Sequence, residues 1–185
     1  CKVVGFSVVC SSPEDIIHVN RWTKSIVISD INNVSLAKLV LSSIKALDLH
    51  YLLILKIYKV VLFDLINDIL CLKCNFLNSL TLSMDSLTYL HPNVFHSLQK
   101  LQILDISYNI LHSIDSAIFV KNNLLMHLDL SKNSLDIQLF QLDLFENTPS
   151  LQIINVDLYE ICCIASKRAD FVCSPGRIEE SFMAQ

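Results

Sequence analysis

Apolar residues recur along this chain in one fixed phase. Leu101-x-x-Leu104-x-Ile106-x-x-Asn109-x-Leu111-x-x-Ile114-x-x-x-x-Phe119 is followed, 24 residues later, by Leu125-x-x-Leu128-x-Leu130-x-x-Asn133-x-Leu135. The phase holds backward through Leu77-x-x-Leu80-x-Leu82-x-x-Asp85-x-Leu87-x-x-Leu90-x-x-x-x-Phe95-x-x-Leu98 and Leu52-x-x-Leu55-x-Ile57-x-x-Val60-x-Leu62-x-x-Leu65, and restarts at Leu151-x-x-Ile154-x-Val156. A degenerate first copy runs from Thr23 through Ile26, Ile28, Ile31 and Leu36 to Leu41. Alternation in each three-residue Leu-x-Leu core predicts a short strand with one buried and one open face. In the first copy, Leu36, Leu39, Val40 and Ile44 are spaced for a helix on the return path. One unit cannot bury its apolar face alone. Stacked units form a parallel sheet backed by a continuous core, with the Asn positions bonding backbone groups of adjacent coils. Val60 has no such capacity, so the early copies are expected to be less regular.

The motif LxxLxLxxNxLxxLxxxxF at this period resembles the leucine-rich repeat. The resemblance implies an α/β solenoid: a right-handed superhelix with a concave parallel sheet and an irregular or short-helical convex side. The chain is expected to divide into an N-terminal cysteine cap at 1–22, five to six repeats at 23–158, and a C-terminal cysteine cap or hinge at 159–185.

Composition agrees with a packed protein. Of 185 residues, 52% are hydrophobic and 17% charged, with 31 Leu and 21 Ile. A disordered segment does not carry that much apolar mass. With two Gly, folds that need many left-handed turns or a phosphate-cradling loop are disfavoured, and nucleotide enzymes with them. The apolar stretch Leu52 to Leu72 is interrupted by Lys56, Lys59, Asp64 and Asp68, each costly at a bilayer centre, so it reads as buried core rather than a membrane span. A net charge of −4 gives no basic footprint for nucleic acid. The six His show no spacing for metal ligation or a catalytic triad; no enzyme, cofactor or metal is expected.

Seven cysteines form three groups: Cys1 and Cys10, Cys71 and Cys74, and Cys162, Cys163 and Cys173. Clusters at both ends of a repeat array read as disulfide staples in an oxidising compartment. Cys71-x-x-Cys74 matches half a zinc knuckle, but the second half-site is missing; a local disulfide or two buried thiols is the simpler reading. An odd count leaves at least one thiol without a partner within the chain. Adjacent Cys162 and Cys163 do not easily bridge each other, so a partner beyond Gln185, in a longer polypeptide, is expected. Asn33-Val34-Ser35 is a glycosylation sequon.

The end, LQIINVDLYEICCIASKRADFVCSPGRIEESF, runs from the last repeat strand into Cys162-Cys163, then Cys173, then acids and Ser181-Phe182. That order resembles the hinge of leucine-rich-repeat G-protein-coupled receptors, the family of relaxin and glycoprotein hormone receptors, and Cys1 to Cys10 resembles the N-terminal cap of extracellular leucine-rich repeat proteins. The resemblance implies a cell-surface ectodomain that binds a secreted peptide or protein hormone, followed by a seven-helix membrane bundle, with hinge cysteines pairing among themselves and near the first membrane helix. On the concave face, Asp105, Asp129 and Asp157 are expected to line up across successive strands, with His127 and Asn155 among them. Such a stripe suits a basic ligand surface, through bidentate contacts to Arg; relaxin-type receptors are similar in this. The competing reading is that LDIS and LDLS are solvated filler of the repeat. A secreted or single-pass leucine-rich-repeat protein of adhesion or innate recognition is the alternative function, and an intracellular scaffold with reduced thiols the third.

Overall fold

The computed structural model describes residues 2–5, 7–10, 19–47, 49–60, 74–140, 142–165 and 172–175. Among the described residues nine strands form one sheet in sequence order: β1 Lys2–Val4, β2 Ser7–Cys10, β3 Ser25–Ile31, β4 Ile54–Val60, β5 Ser79–Ser83, β6 Ile103–Asp105, β7 His127–Asp129, β8 Ile153–Val156 and β9 Val172–Pro175. Strands β1 and β2 are antiparallel, and every later pair is parallel. The expected α/β leucine-rich-repeat solenoid is the fold observed.

The strand phase does what the sequence pattern requires. Val8, Ile26, Leu55, Leu80, Leu104, Leu128 and Ile154 are successive register partners, all buried. Each side chain closes a gap that its own coil leaves open, which makes stability a nearest-neighbour property. A second buried column, Cys10, Ile28, Ile57 and Leu82, runs beside it. Phe95 and Phe119 stack at 5.9 Å behind the sheet. Before each repeat strand the chain makes the same tight turn, closed by Thr23 N to Asn20 O, Leu52 N to Leu49 O, Leu77 N to Cys74 O, Leu101 N to Leu98 O, Leu125 N to Asn122 O and Leu151 N to Thr148 O, at 2.9–3.1 Å.

The first return path is helix α1, Val34–Ala46. Asn33 caps it, its Oδ1 accepting from Leu36 N at 3.0 Å. Ala37, Val40, Leu41 and Ile44 face the core. Leu39, assigned to that face from its spacing, is instead 54% exposed, because the buried stripe runs through Ala37 and Leu41. Asn33→Ala is expected to cost about 1 kcal/mol and Asn33→Ser to restore most of it, read from thermal unfolding. Later return paths contain 3-10 turns at Ser116–Phe119 and Leu142–Phe145. Helix α2, Tyr159–Ala165, follows β8.

The early repeats, expected to be less regular, have the longest described strands: β3 and β4, which end in Ile31 and Val60 where later repeats have Asp or Asn, have seven residues each. Their backbone ladder extends to the Ile31–Val60 pair, so main-chain pairing reaches the place that side-chain bonds serve elsewhere. The low glycine content also does not exclude left-handed turns. Asp30, Lys59, Met84, Ser86, Tyr108 and Lys132 all have φ between 54° and 59°. Five of them occupy one column, immediately before the Asn position. There the backbone N–H of Met84 and of Tyr108 donates to Ser107 O and Ser131 O of the next coil, and the hydrogen bonds fix a conformation that costs an L-residue about 1 kcal/mol.

Candidate functional site

Turns between strand and return path are held by a ladder of side chains. Asn109 Oδ1 accepts from Asp85 N at 3.1 Å and Leu87 N at 3.0 Å, while its Nδ2 donates to Leu82 O at 2.7 Å and to Ile106 O and Ser107 O at 3.1 Å. Asn133 repeats this one coil on, accepting from Leu111 N and donating to Ile106 O and Leu130 O. Asp85 occupies the same rung and is fully buried. Its Oδ1 accepts from Val60 N at 2.9 Å, but Oδ2 has no partner. Burial drives its carboxyl up from 3.8 to about 8, the Val60 N–H opposes that, and nearby Asp105 adds to it. The group is therefore largely protonated at neutral pH. A neutral acid is the closest imitation of asparagine that a carboxyl can offer. On the convex side Asn122, which the repeat pattern did not single out, donates from Nδ2 to Phe95 O at 3.1 Å and Leu98 O at 2.8 Å, tying the turn of one coil to the next.

The concave face carries the candidate ligand contacts. Its central row is Lys56, Thr81, Asp105, Asp129 and Asn155, successive register partners across β4 to β8. The row beside it is Ile54, Ser79, Ile103, His127 and Ile153. Asp105 and Asp129 thus stand side by side, as expected. Asp157 does not join them: Asn155 is the partner of Asp129, and Asp157 lies two residues further along. Its Oδ2 accepts from Lys132 N and its Oδ1 is 3.9 Å from Lys132 Nζ. It serves the left-handed turn at Lys132, where earlier coils supply a backbone carbonyl.

Each stripe aspartate is partly engaged. Asp105 Oδ1 accepts from Ser107 N at 3.0 Å and Ser107 Oγ at 2.6 Å; Asp129 Oδ1 does the same with Ser131, at 2.9 and 2.6 Å. In LDIS and LDLS one oxygen of each aspartate thus caps its own strand end. The Asp-x-Ser spacing carries that signal in the sequence. Asp129 Oδ2 accepts from Asn155 Nδ2 at 2.8 Å, and the same nitrogen lies 3.4 Å from His127 Nε2. Asp129, Asn155 and His127 form one network, half-buried on rigid strands. Asp105 Oδ2 has no described partner.

Of the cysteines, Cys74 and Cys162 are disulfide-bonded. Cys10 is buried in the core at the end of β2. Cys163 lies in α2, and Cys173 lies in β9 as the register partner of Ile154. Cys1 and Cys71 lie outside the described residues. Asn33 is exposed, and its cap bond uses Oδ1, not the amide nitrogen that would carry a sugar. Among the described residues no helix is long and apolar enough to cross a membrane.

A leucine rich repeat family model matches residues 75–135 and again 99–157. No curated protein sequence matches the chain. Among solved structures, the chain is similar to one from the Toll–Spatzle complex of Drosophila: 11% identical, covering 83% of this chain and 23% of that one, with a TM-score of 0.54. It is also similar to the leucine-rich repeat domain of APL1, at 22% identity over 72% of this chain and 39% of that one, with a TM-score of 0.51. The leucine-rich repeat domain of APL1B is 26% identical over 58% of this chain and 31% of that one, with a TM-score of 0.45. The chain spans well under half the length of each. Residues 75–157 thus match the leucine rich repeat family, and the solved structures share the fold; solenoids of this kind present an extended concave surface.

Proposed function

We propose that this leucine-rich-repeat array is the ligand-recognising segment of a cell-surface receptor, binding a secreted peptide or protein on its concave face. The carrying observation is the juxtaposition of Asp105 and Asp129 on neighbouring strands, with Asn155 and His127 networked beside them and Ile103, 42% exposed, in the adjoining row. Oriented carboxylate oxygens next to open apolar side chains are what an arginine-bearing ligand surface needs: charge pairing for register, apolar contact for affinity. Selection of displayed peptides against the folded chain is expected to enrich arginine. Asp105→Asn combined with Asp129→Asn should weaken the selected peptides about tenfold, measured by titration calorimetry. Binders indifferent to both substitutions would remove the concave stripe from the proposal.

The receptor class proposed is the leucine-rich-repeat G-protein-coupled receptor with a peptide or protein hormone as ligand. It rests on the order Cys162, Cys163, Cys173 after the last repeat, on the disulfide at Cys162, and on β9 returning to pair with β8. Division into a cap at 1–22, repeats at 23–158 and a hinge at 159–185, disulfides at the remaining candidate cysteines, and a sugar on Asn33 belong to the same proposal. A second reading, a secreted or single-pass protein of innate recognition, draws on the fold shared with the Toll–Spatzle structure, described as a hub in development and innate immunity. Glycosylation mapping on the full-length protein separates them. Seven crossings support the first reading; one or none supports the second.

A further inference from the structure

The tight turn before each strand sets its third residue outward. Over successive coils that column reads Trp22, Tyr51, Phe76, Lys100, Leu124 and Ser150. The first three are large aromatics left open: Trp22 57%, Tyr51 48% and Phe76 54% exposed. Leu53 and Ile54, which follow Tyr51 into β4, are 40% and 37% exposed. Together these five leave on the order of 400 Å² of apolar surface in water, as large as the biggest patch a typical monomer shows. The core does not need them, because Leu52 and Leu77 beside them are already fully buried. Trp22 and Tyr51 also stack, with centroids 5.0 Å apart and planes at 19°. A rigid aromatic pair loses little conformational freedom when a partner covers it.

Among the described residues, the exposed charges beside the patch that lie outside an ion pair are basic. Arg21 adjoins Trp22, and Lys56 stands two residues past Ile54; both are exposed and outside any described ion pair. Between Val19 and Val60 the one described carboxylate is Asp30, and Lys59 lies 3.9 Å from it. The opposite half of the concave row holds Asp105 and Asp129, so the described surface is polarised along the solenoid. From this we propose that the flank of Trp22, Tyr51, Leu53, Ile54 and Phe76 is a second docking surface, for an acidic protein segment carrying aromatic or aliphatic anchors. It meets the concave rows at Ile54, at the end away from Asp105 and Asp129, and does not depend on the receptor reading. A second copy of this chain fits it poorly, since a two-fold contact would bring the Arg21 and Lys56 charges of one copy against those of the other. An anionic bilayer fits poorly as well, because such surfaces recruit clusters of about four or more basic residues.

Trp22 is the single tryptophan of the chain and reports directly on its own burial. The full chain is titrated with a peptide alternating glutamate and phenylalanine, and separately with the same peptide bearing lysine for glutamate. The acidic peptide is expected to shift Trp22 emission to the blue, saturably and less at high salt, while the lysine peptide leaves it in place. Tyr51→Ala and Phe76→Ala should each weaken the acidic peptide about tenfold, as hot-spot aromatics do. Tyr89→Ala, an exposed aromatic outside the flank, should not, and unchanged melting curves would show that all three variants fold. Absence of a shift, equal response to both peptides, or indifference to Tyr51→Ala and Phe76→Ala overturns the proposal. So does a shift produced by phosphatidylserine vesicles instead, or one produced by raising the concentration of the chain alone.

Discussion

Replacing Asn109 with alanine is expected to destabilise the array by about 4 kcal/mol or more, enough to remove a large part of the folding free energy of a domain this size. The side chain is buried, 5% exposed. Its loss strands two N–H groups, on Asp85 and Leu87, and weakens the bonding of three carbonyls, on Leu82, Ile106 and Ser107. Buried groups left without partners cost about 1–3 kcal/mol each, and relaxation recovers part of that. Asn133→Ala removes a similar set from a partly buried site, where water substitutes, and should cost about half as much. Urea unfolding of both variants checks the order. Equal losses would mean that the ladder's strength does not follow burial.

Asp85→Asn should act in the opposite direction and with a pH signature. The folded-state value of about 8 lies above the ordinary 3.8, so the native chain holds a proton that the unfolded chain has released. Stability from this group is fully present below about pH 4, declines as pH rises toward 8, and is flat above. Asparagine keeps the acceptor for Val60 N, adds a permanent donor, and cannot ionise. By the register through which Asn109 reaches Leu82 O and Asn133 reaches Ile106 O, that donor is expected to reach Ile57 O. The variant is expected to gain a few kcal/mol at neutral pH and to lose the slope between pH 4 and 8. Melting temperatures of both proteins across that range test it; parallel profiles would show that Asp85 is ionised in the native state.

The repeat architecture was legible because every coil writes the same constraint: Leu104, Leu128 and Ile154 share a phase in the sequence and a column in the sheet. Features confined to one coil were not. Asp157 looks like a third member of the aspartate stripe until the register shows Asn155 opposite Asp129, because a shift of two residues keeps the face but changes the row. Leu39 fits a helical spacing, yet faces water on α1. Scarce glycine points away from left-handed turns only by the intrinsic preference of each residue. Hydrogen bonds donated to the next coil override that preference at Met84 and Tyr108. The Trp22–Tyr51 pair was hidden for another reason: its spacing of 29 residues follows the longer first coil, outside the period that exposes the rest.

The left-handed column has an evolutionary implication. Its occupants, Asp30, Lys59, Met84, Tyr108 and Lys132, share a backbone shape while differing in size, charge and polarity. Where the main chain dictates conformation, the side chain is released from that duty. The rim they trace can exchange its chemistry one rung at a time, offering a set of independently mutable letters on a framework that need not be rebuilt for each new spelling.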